Sequence, residues 1–94
     1  MFYLINLIYT RPLEEVQLKT DEHRQYLTEL RNKGIIIMAG PKNPRNGGVI
    51  IAKGDKKAID QLIHNDPYFI YQLASYDITE FNPVIHQSSL DKLF

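Results

Sequence analysis

His23 and Asp66 stand where their chemistry is at odds with their neighbours. In the stretch expected to form the first helix, Val16, His23, Leu27 and Leu30 are spaced i, i+7, i+11 and i+14, which is one helical face. His23 therefore falls on the stripe the helix turns toward a core. In the second helical stretch Ile59, Leu62, Ile63 and Asp66 fall at i, i+3, i+4 and i+7, so the carboxylate extends a buried stripe at the helix end. Burying an unpaired carboxylate is costly, so Asp66 needs a partner or a solvent-filled cleft. A His–Asp hydrogen bond would fix the imidazole tautomer and turn the other ring nitrogen toward a ligand, a pair suited to moving protons at neutral pH. Each residue also has a purely structural reading. Aspartate before proline ends helices by bonding local backbone, and a histidine among leucines is commonly a satisfied core residue.

The remaining reactive side chains form no second constellation. There is no cysteine, which excludes disulfides, thiolate metal sites and thiol nucleophiles. His64 and His86 lie off the His23 stripe and in the tail; without metal-ligand spacing, no metal or cofactor is expected. Ser75, Ser88 and Ser89 have no nucleophile-elbow context. Gly47-Gly48 is a turn rather than a phosphate loop, because no Gly-Lys-Ser/Thr follows. Lys42 and Arg45 could attract an anion, but the default reading is an ordinary solvated loop. Arg11, Gly40 and Tyr68 are the candidate substrate-binding residues. Arg11 lies just past the first strand, near an expected pocket mouth; Gly40 ends the second strand; Tyr68 follows the Asp66-Pro67 break and can wall the site or simply pack the turn.

The elements that must position His23 and Asp66 read in order along the chain. Residues 1–9 are rich in β-formers and apolar on both alternating sets. Pro12 suits a first helical turn, and no glycine or proline interrupts the stretch to about Lys33, where Gly34 is a stop. Ile35–Ala39 is a second strand, Pro41 to Gly48 a polar loop, and Val49 to Lys53 a third strand. Asp55 is a candidate N-cap for a helix to Asn65, which Asp66-Pro67 breaks. A turn over 67–72 leads to a fourth strand, Ala74 to Phe81, stopped by Pro83. The pattern β-α-β-β-α-β is the split-βαβ, ferredoxin-like signature of an α+β fold with a four-stranded antiparallel sheet. Its helices run roughly antiparallel on one sheet face, which brings Asp66 within reach of His23.

A chain of 94 residues fits one domain, with a core over 1–82 and a tail over 83–94. A chain this short builds a modest core, yet 44% of its residues are hydrophobic, the first strand is apolar on both faces and the second and third are nearly so. The expected cover for the second sheet face is a second copy, giving a homodimer that can assemble further; a tight core is the alternative. Lys and Arg balance Asp and Glu at 11 each, which gives no electrostatic reason to expect nucleic acid or an anionic membrane. The segment MFYLINLIY lacks a basic leader region, and no apolar run approaches the ~18–20 residues of a membrane span. A cytoplasmic protein acting on a small-molecule ligand is the simplest expectation.

Several segments together resemble the YciI-like, YCII-related family: His23 followed by Tyr26-Leu27 and Leu30, Gly34, Ala39-Gly40-Pro41, Gly48 before the third strand, and Asp66-Pro67-Tyr68. No piece is specific alone; the ordered set is. The resemblance implies a ferredoxin-like fold that dimerises into an α+β barrel and an active site on a His–Asp pair, which maps onto His23 and Asp66. It also implies small-molecule enzymes, a dehydrochlorinase among them. The loop Lys42–Asn46 and the tail after Pro83 depart from the family pattern. The expected function is general acid–base proton transfer by a lyase, isomerase or dehydrochlorinase-like enzyme. The alternative is a non-catalytic ligand-binding or assembly module in which the pair only staples the helices.

Overall fold

The computed structural model describes residues 1–94. Strand β1 (Phe2–Tyr9) is followed by helices α1 (Leu13–Gln17) and α2 (Thr20–Asn32), then by strands β2 (Ile36–Pro41) and β3 (Gly47–Lys53). Helices α3 (Lys56–His64) and α4 (Pro67–Ile70) precede β4 (Ala74–Phe81), and a 3₁₀ turn over Ser88–Leu93 ends the chain. The four strands form one antiparallel sheet in the order β2-β3-β1-β4. This is the expected split-βαβ arrangement, an α+β fold.

β1 lies inside the sheet because both of its faces are apolar. Tyr3, Ile5 and Leu7 point to the helices and join Ile50 and Ala52 of β3 in the core, against Val16, Leu27, Ile59 and Leu62. On the opposite face Met38, Ile51 and Leu4 are cross-strand neighbours in register, continued by Thr79 on β4. Leu4 and Met38 remain 37% and 57% exposed, so the outer face is apolar over β2, β3 and β1 and turns polar at β4. The tail folds back on its own chain: Phe94 stacks on Phe2 at 4.8 Å, and Lys53 Nζ donates to the Leu93 carbonyl at 3.2 Å.

Local details differ from the sequence expectation, β2 among them, which runs on to Pro41 rather than stopping at Ala39. The single helix expected from Pro12 to Lys33 is two helices. Lys19 leaves helical geometry (φ −115°, ψ 6°), and the Val16 carbonyl takes both the Lys19 amide at 3.0 Å and the Thr20 hydroxyl at 3.2 Å. A threonine bonding back to the preceding turn is a known cause of such a bend. Val16 and His23 stay buried on the same side.

The turn expected over 67–72 contains α4, because Pro67 occupies N1, where its missing N–H costs nothing, and Asp66 caps it. Strand β3 begins at Gly47, two residues early. A Cβ there would run into the Leu7 backbone oxygen, so this pairing requires glycine.

Candidate active site

Asp66 ends one helix and begins the next. Its amide donates to the Ile63 carbonyl at 3.1 Å, and its extended backbone (φ −69°, ψ 128°) suits the residue before proline. Its side chain is 0% exposed, so every lone pair that water would have satisfied must find a protein donor. Three donors reach it. His23 Nδ1 lies 2.7 Å from Oδ1, the Tyr68 amide donates to the same oxygen at 3.0 Å, and the Tyr76 hydroxyl donates to Oδ2 at 2.8 Å. The capping and the His23 contact are therefore made together by one carboxylate.

Both oxygens of Asp66 already accept from other donors, as an ionised carboxylate does. Nδ1 of His23 is then the donor and carries the ring proton in the neutral imidazole, leaving the lone pair on Nε2. That nitrogen has no hydrogen-bond partner, yet no buried polar side-chain atom in the protein lacks one, so Nε2 is reached by solvent. The ring is clamped on one face by Tyr68, stacked at 3.7 Å between centroids and 4° between planes. Burial, then the charge of Asp66, pushes the Tyr76 hydroxyl far above its ordinary range, which keeps it a donor to the carboxylate. Burial is also the main reason that Tyr26 is pushed up to about 12; its hydroxyl donates to the Leu62 carbonyl at 2.7 Å and ties α2 to α3.

His23 lines a cleft of about 400 Å³ between α2 and the β2–β3 half of the sheet. Leu7, Leu27, Ile36 and Ile50 make its apolar wall; Tyr68 and Gly40 border it, as does Arg45. From the sequence, Arg45 reads as part of an ordinary solvated loop. In the structure it is half-buried, its Nε donating to the Tyr9 hydroxyl at 3.4 Å and Nη2 to Thr20 Oγ1 at 3.1 Å. The hydrogen bond to Tyr9 is the main reason its guanidinium is held even more firmly protonated than usual. Thr20 Oγ1 is also 2.8 Å from the Tyr68 hydroxyl, so one threonine links Arg45 to the ring stacked on His23.

The sequence-derived residues are thus partly assembled. His23 and Asp66 meet, and Gly40 and Tyr68 border the cleft in front of them. Arg11 does not: its side chain is exposed and forks onto Glu15 at 2.8 and 2.9 Å, away from the cleft-lining residues. Arg11 and Glu15 lie one turn apart at the start of α1, and that local ion pair wins over the pocket mouth. His64 and His86 are dispersed, bonded to the Asp60 carbonyl at 2.7 Å and stacked on Phe94 at 4.0 Å. Tyr76 escaped the sequence reading, although its alternation with Ala74 and Ile78 puts it on the helix-facing side of β4.

Residues 1–82 match the YCII-related domain family. The chain belongs to that family. No curated protein sequence matches it. Among solved structures, this YCII-related chain is similar to 5-chloro-2-hydroxyhydroquinone dehydrochlorinase from Burkholderia phenoliruptrix AC1100, in complex with 2,5-dihydroxybenzoquinone. The two share 20% sequence identity with a TM-score of 0.68, over 87% of this chain and 94% of that one. At this identity the likeness establishes the fold. No helix of the YCII-related chain is long and apolar enough to cross a membrane.

Proposed function

We propose that this YCII-related protein is a small-molecule enzyme of the proton-transfer type, with His23 as general base and then acid and Asp66 as its orienting counter-charge. The observation that carries this reading is the asymmetry of the imidazole. One nitrogen is spent on a buried, three-donor carboxylate, and the other is unpartnered in a ring that lines the cleft. In such an arrangement Nε2 takes a proton from a substrate carbon, and Asp66 compensates the imidazolium that forms. The C–H electron pair then closes a double bond. In an isomerisation His23 returns the proton to another carbon; in an elimination such as dehydrochlorination a leaving group departs with its bonding pair. The ligand of the similar dehydrochlorinase is a compact quinone ring, and a cleft of about 400 Å³ lies in the size range of small-ligand sites, ~300–1,000 Å³.

The test is a thermal-shift screen of wild type, His23→Gln and Asp66→Asn against a panel of small cyclic acids, phenols and chlorinated quinols, followed by turnover of any hit. The expected result is a compound that raises the Tm of wild type and is turned over by it alone, the variants staying folded. Equal turnover by wild type and His23→Gln would sink the proposal. Variants that lose only stability while ligand binding persists would favour the stapling role, which the capping of α4 by Asp66 also supports.

A second copy on the outer sheet face belongs to the same reading. The apolar row Met38, Ile51, Leu4 lies in register across β2, β3 and β1, and the tail covers only the Phe2 end. A homodimer through this face buries that row.

A further inference from the structure

Arg24 and Arg31 from α2 and Arg45 from the β2–β3 loop all reach the cleft in front of His23, and no aspartate or glutamate lines it. None of the three arginines is ion-paired; the salt bridges of the molecule are Arg11–Glu15, Lys19–Glu22, Lys56–Asp60 and two His–Asp contacts. In a chain whose formal net charge is zero, this cleft gathers three arginines, and the one carboxylate close by is Asp66, buried behind the His23 ring. Charge concentrated against low-dielectric walls focuses the field and draws in a counter-ion.

Arg45 is the one of the three that is anchored for recognition. Arg31 bends onto the neighbouring Asn32 side chain at 3.0 and 3.3 Å, and Arg24 makes no side-chain hydrogen bond. Arg45 spends one N–H on Tyr9 and one on Thr20. Both hydrogens of Nη1 and the second of Nη2 are left, the edge of the guanidinium that grips a planar oxyanion at two points. Its position is coupled to the reacting imidazole through Thr20 and Tyr9, both of which contact the Tyr68 ring stacked on His23.

We infer that the cleft takes a small organic anion, whose carboxylate or ionised enol or phenol oxygen sits on Arg45 while its apolar body lies against Leu27, Ile36 and Ile50. This rests on the reading of His23 as a base. The two fit chemically where the oxyanion is a carboxylate or an ionised enol conjugated to a carbonyl. When Nε2 removes a proton from the carbon next to that carboxylate or carbonyl, the C–H electron pair moves onto its oxygen as the C–C double bond forms. A guanidinium already placed there stabilises the charge as it grows. Arg24 and Arg31, without buried anchors, contribute to steering.

Binding is measured by NMR titration at fixed ionic strength, with benzoate against benzamide and 4-nitrophenolate against 4-nitroanisole as charged and neutral pairs. Inorganic phosphate serves as an anion without an apolar body. The proteins are wild type, Arg45→Gln, Arg45→Lys and His23→Gln. Wild type is expected to bind each anion about tenfold or more tightly than its neutral partner, a single charge-assisted contact being worth ~1.4 kcal/mol or more. Arg45→Gln erases that preference, Arg45→Lys restores part of it, and His23→Gln leaves it in place. Equal affinity for anion and neutral partner in wild type overturns the inference, and so does a preference that survives in Arg45→Gln. Phosphate binding more tightly than benzoate overturns the organic-anion assignment. If Arg45→Gln fails to fold, the wild-type pairs and Arg45→Lys decide the question. The anion site and the base fail separately: an intact Arg45-dependent preference with turnover insensitive to His23→Gln removes the base and keeps the site.

Discussion

Asp66 gathers three donors on two oxygens while fully buried, and the consequence is felt at Nε2 of His23 rather than at Asp66 itself. Replacing the carboxylate by an amide keeps its shape and removes its charge. Asp66→Asn then no longer compensates an imidazolium and no longer enforces the Nδ1–H tautomer. The expected outcome is a folded protein by circular dichroism whose kcat on any identified substrate falls by about 100-fold or more, with KM little changed, as when a triad aspartate becomes asparagine. Tyr76→Phe removes one hydrogen bond to a buried charged group, a loss of ~1.5–3 kcal/mol in stability by denaturant titration. A variant as stable as wild type would show that water replaces the hydroxyl.

At the scale of elements, the site depends on how α2 is held against α3 and the α4 turn. Tyr26 and Tyr76 both keep their protons in the folded protein beyond the ordinary tyrosine value of 10.0, Tyr26 to about 12. The unfolded chain releases those protons near pH 10, so above that value the folded state binds more protons than the unfolded one and stability falls as pH rises. Urea midpoints are therefore expected to be insensitive to these tyrosines below about pH 9 and to decline above pH 10. Tyr26→Phe lowers stability at neutral pH by the lost bond to the Leu62 carbonyl and makes the alkaline decline shallower. A decline unchanged in Tyr26→Phe would assign it to other groups.

The element pattern was legible because it rests on periodicity and punctuation. The alternation in β1, the helical spacing of Val16, His23, Leu27 and Leu30, and the stop at Asp66-Pro67 all report local backbone geometry. The α1–α2 break was not legible, since it turns on which acceptor the Thr20 hydroxyl chooses. Arg45 was hidden for a related reason. A loop residue carries no period, and its value comes from Tyr9 and Thr20, which are distant in sequence.

For the whole molecule, the proposed second copy is tested by size. Light scattering is expected to give twice the 11.0 kDa chain mass for wild type and the single chain mass for Leu4→Lys. Leu4 points away from the helices, so the substitution leaves the core of the protomer unchanged. Monomeric wild type at micromolar concentration would refute the dimer.

Sequence by itself determined the order of the strands and of the two helical segments between them, the α+β split-βαβ class and the placement of His23 and Asp66 on apolar stripes. Those properties follow from side-chain type and local repeat. Only the tertiary structure decided that the carboxylate is shared among His23, Tyr68 and Tyr76, that Nε2 is the free nitrogen, and that Arg45 rather than Arg11 stands at the cleft. Each of these is a competition for hydrogen bonds among residues far apart in the chain. Its outcome depends on distances that exist only after β1, α2 and the α3–α4 corner have packed together.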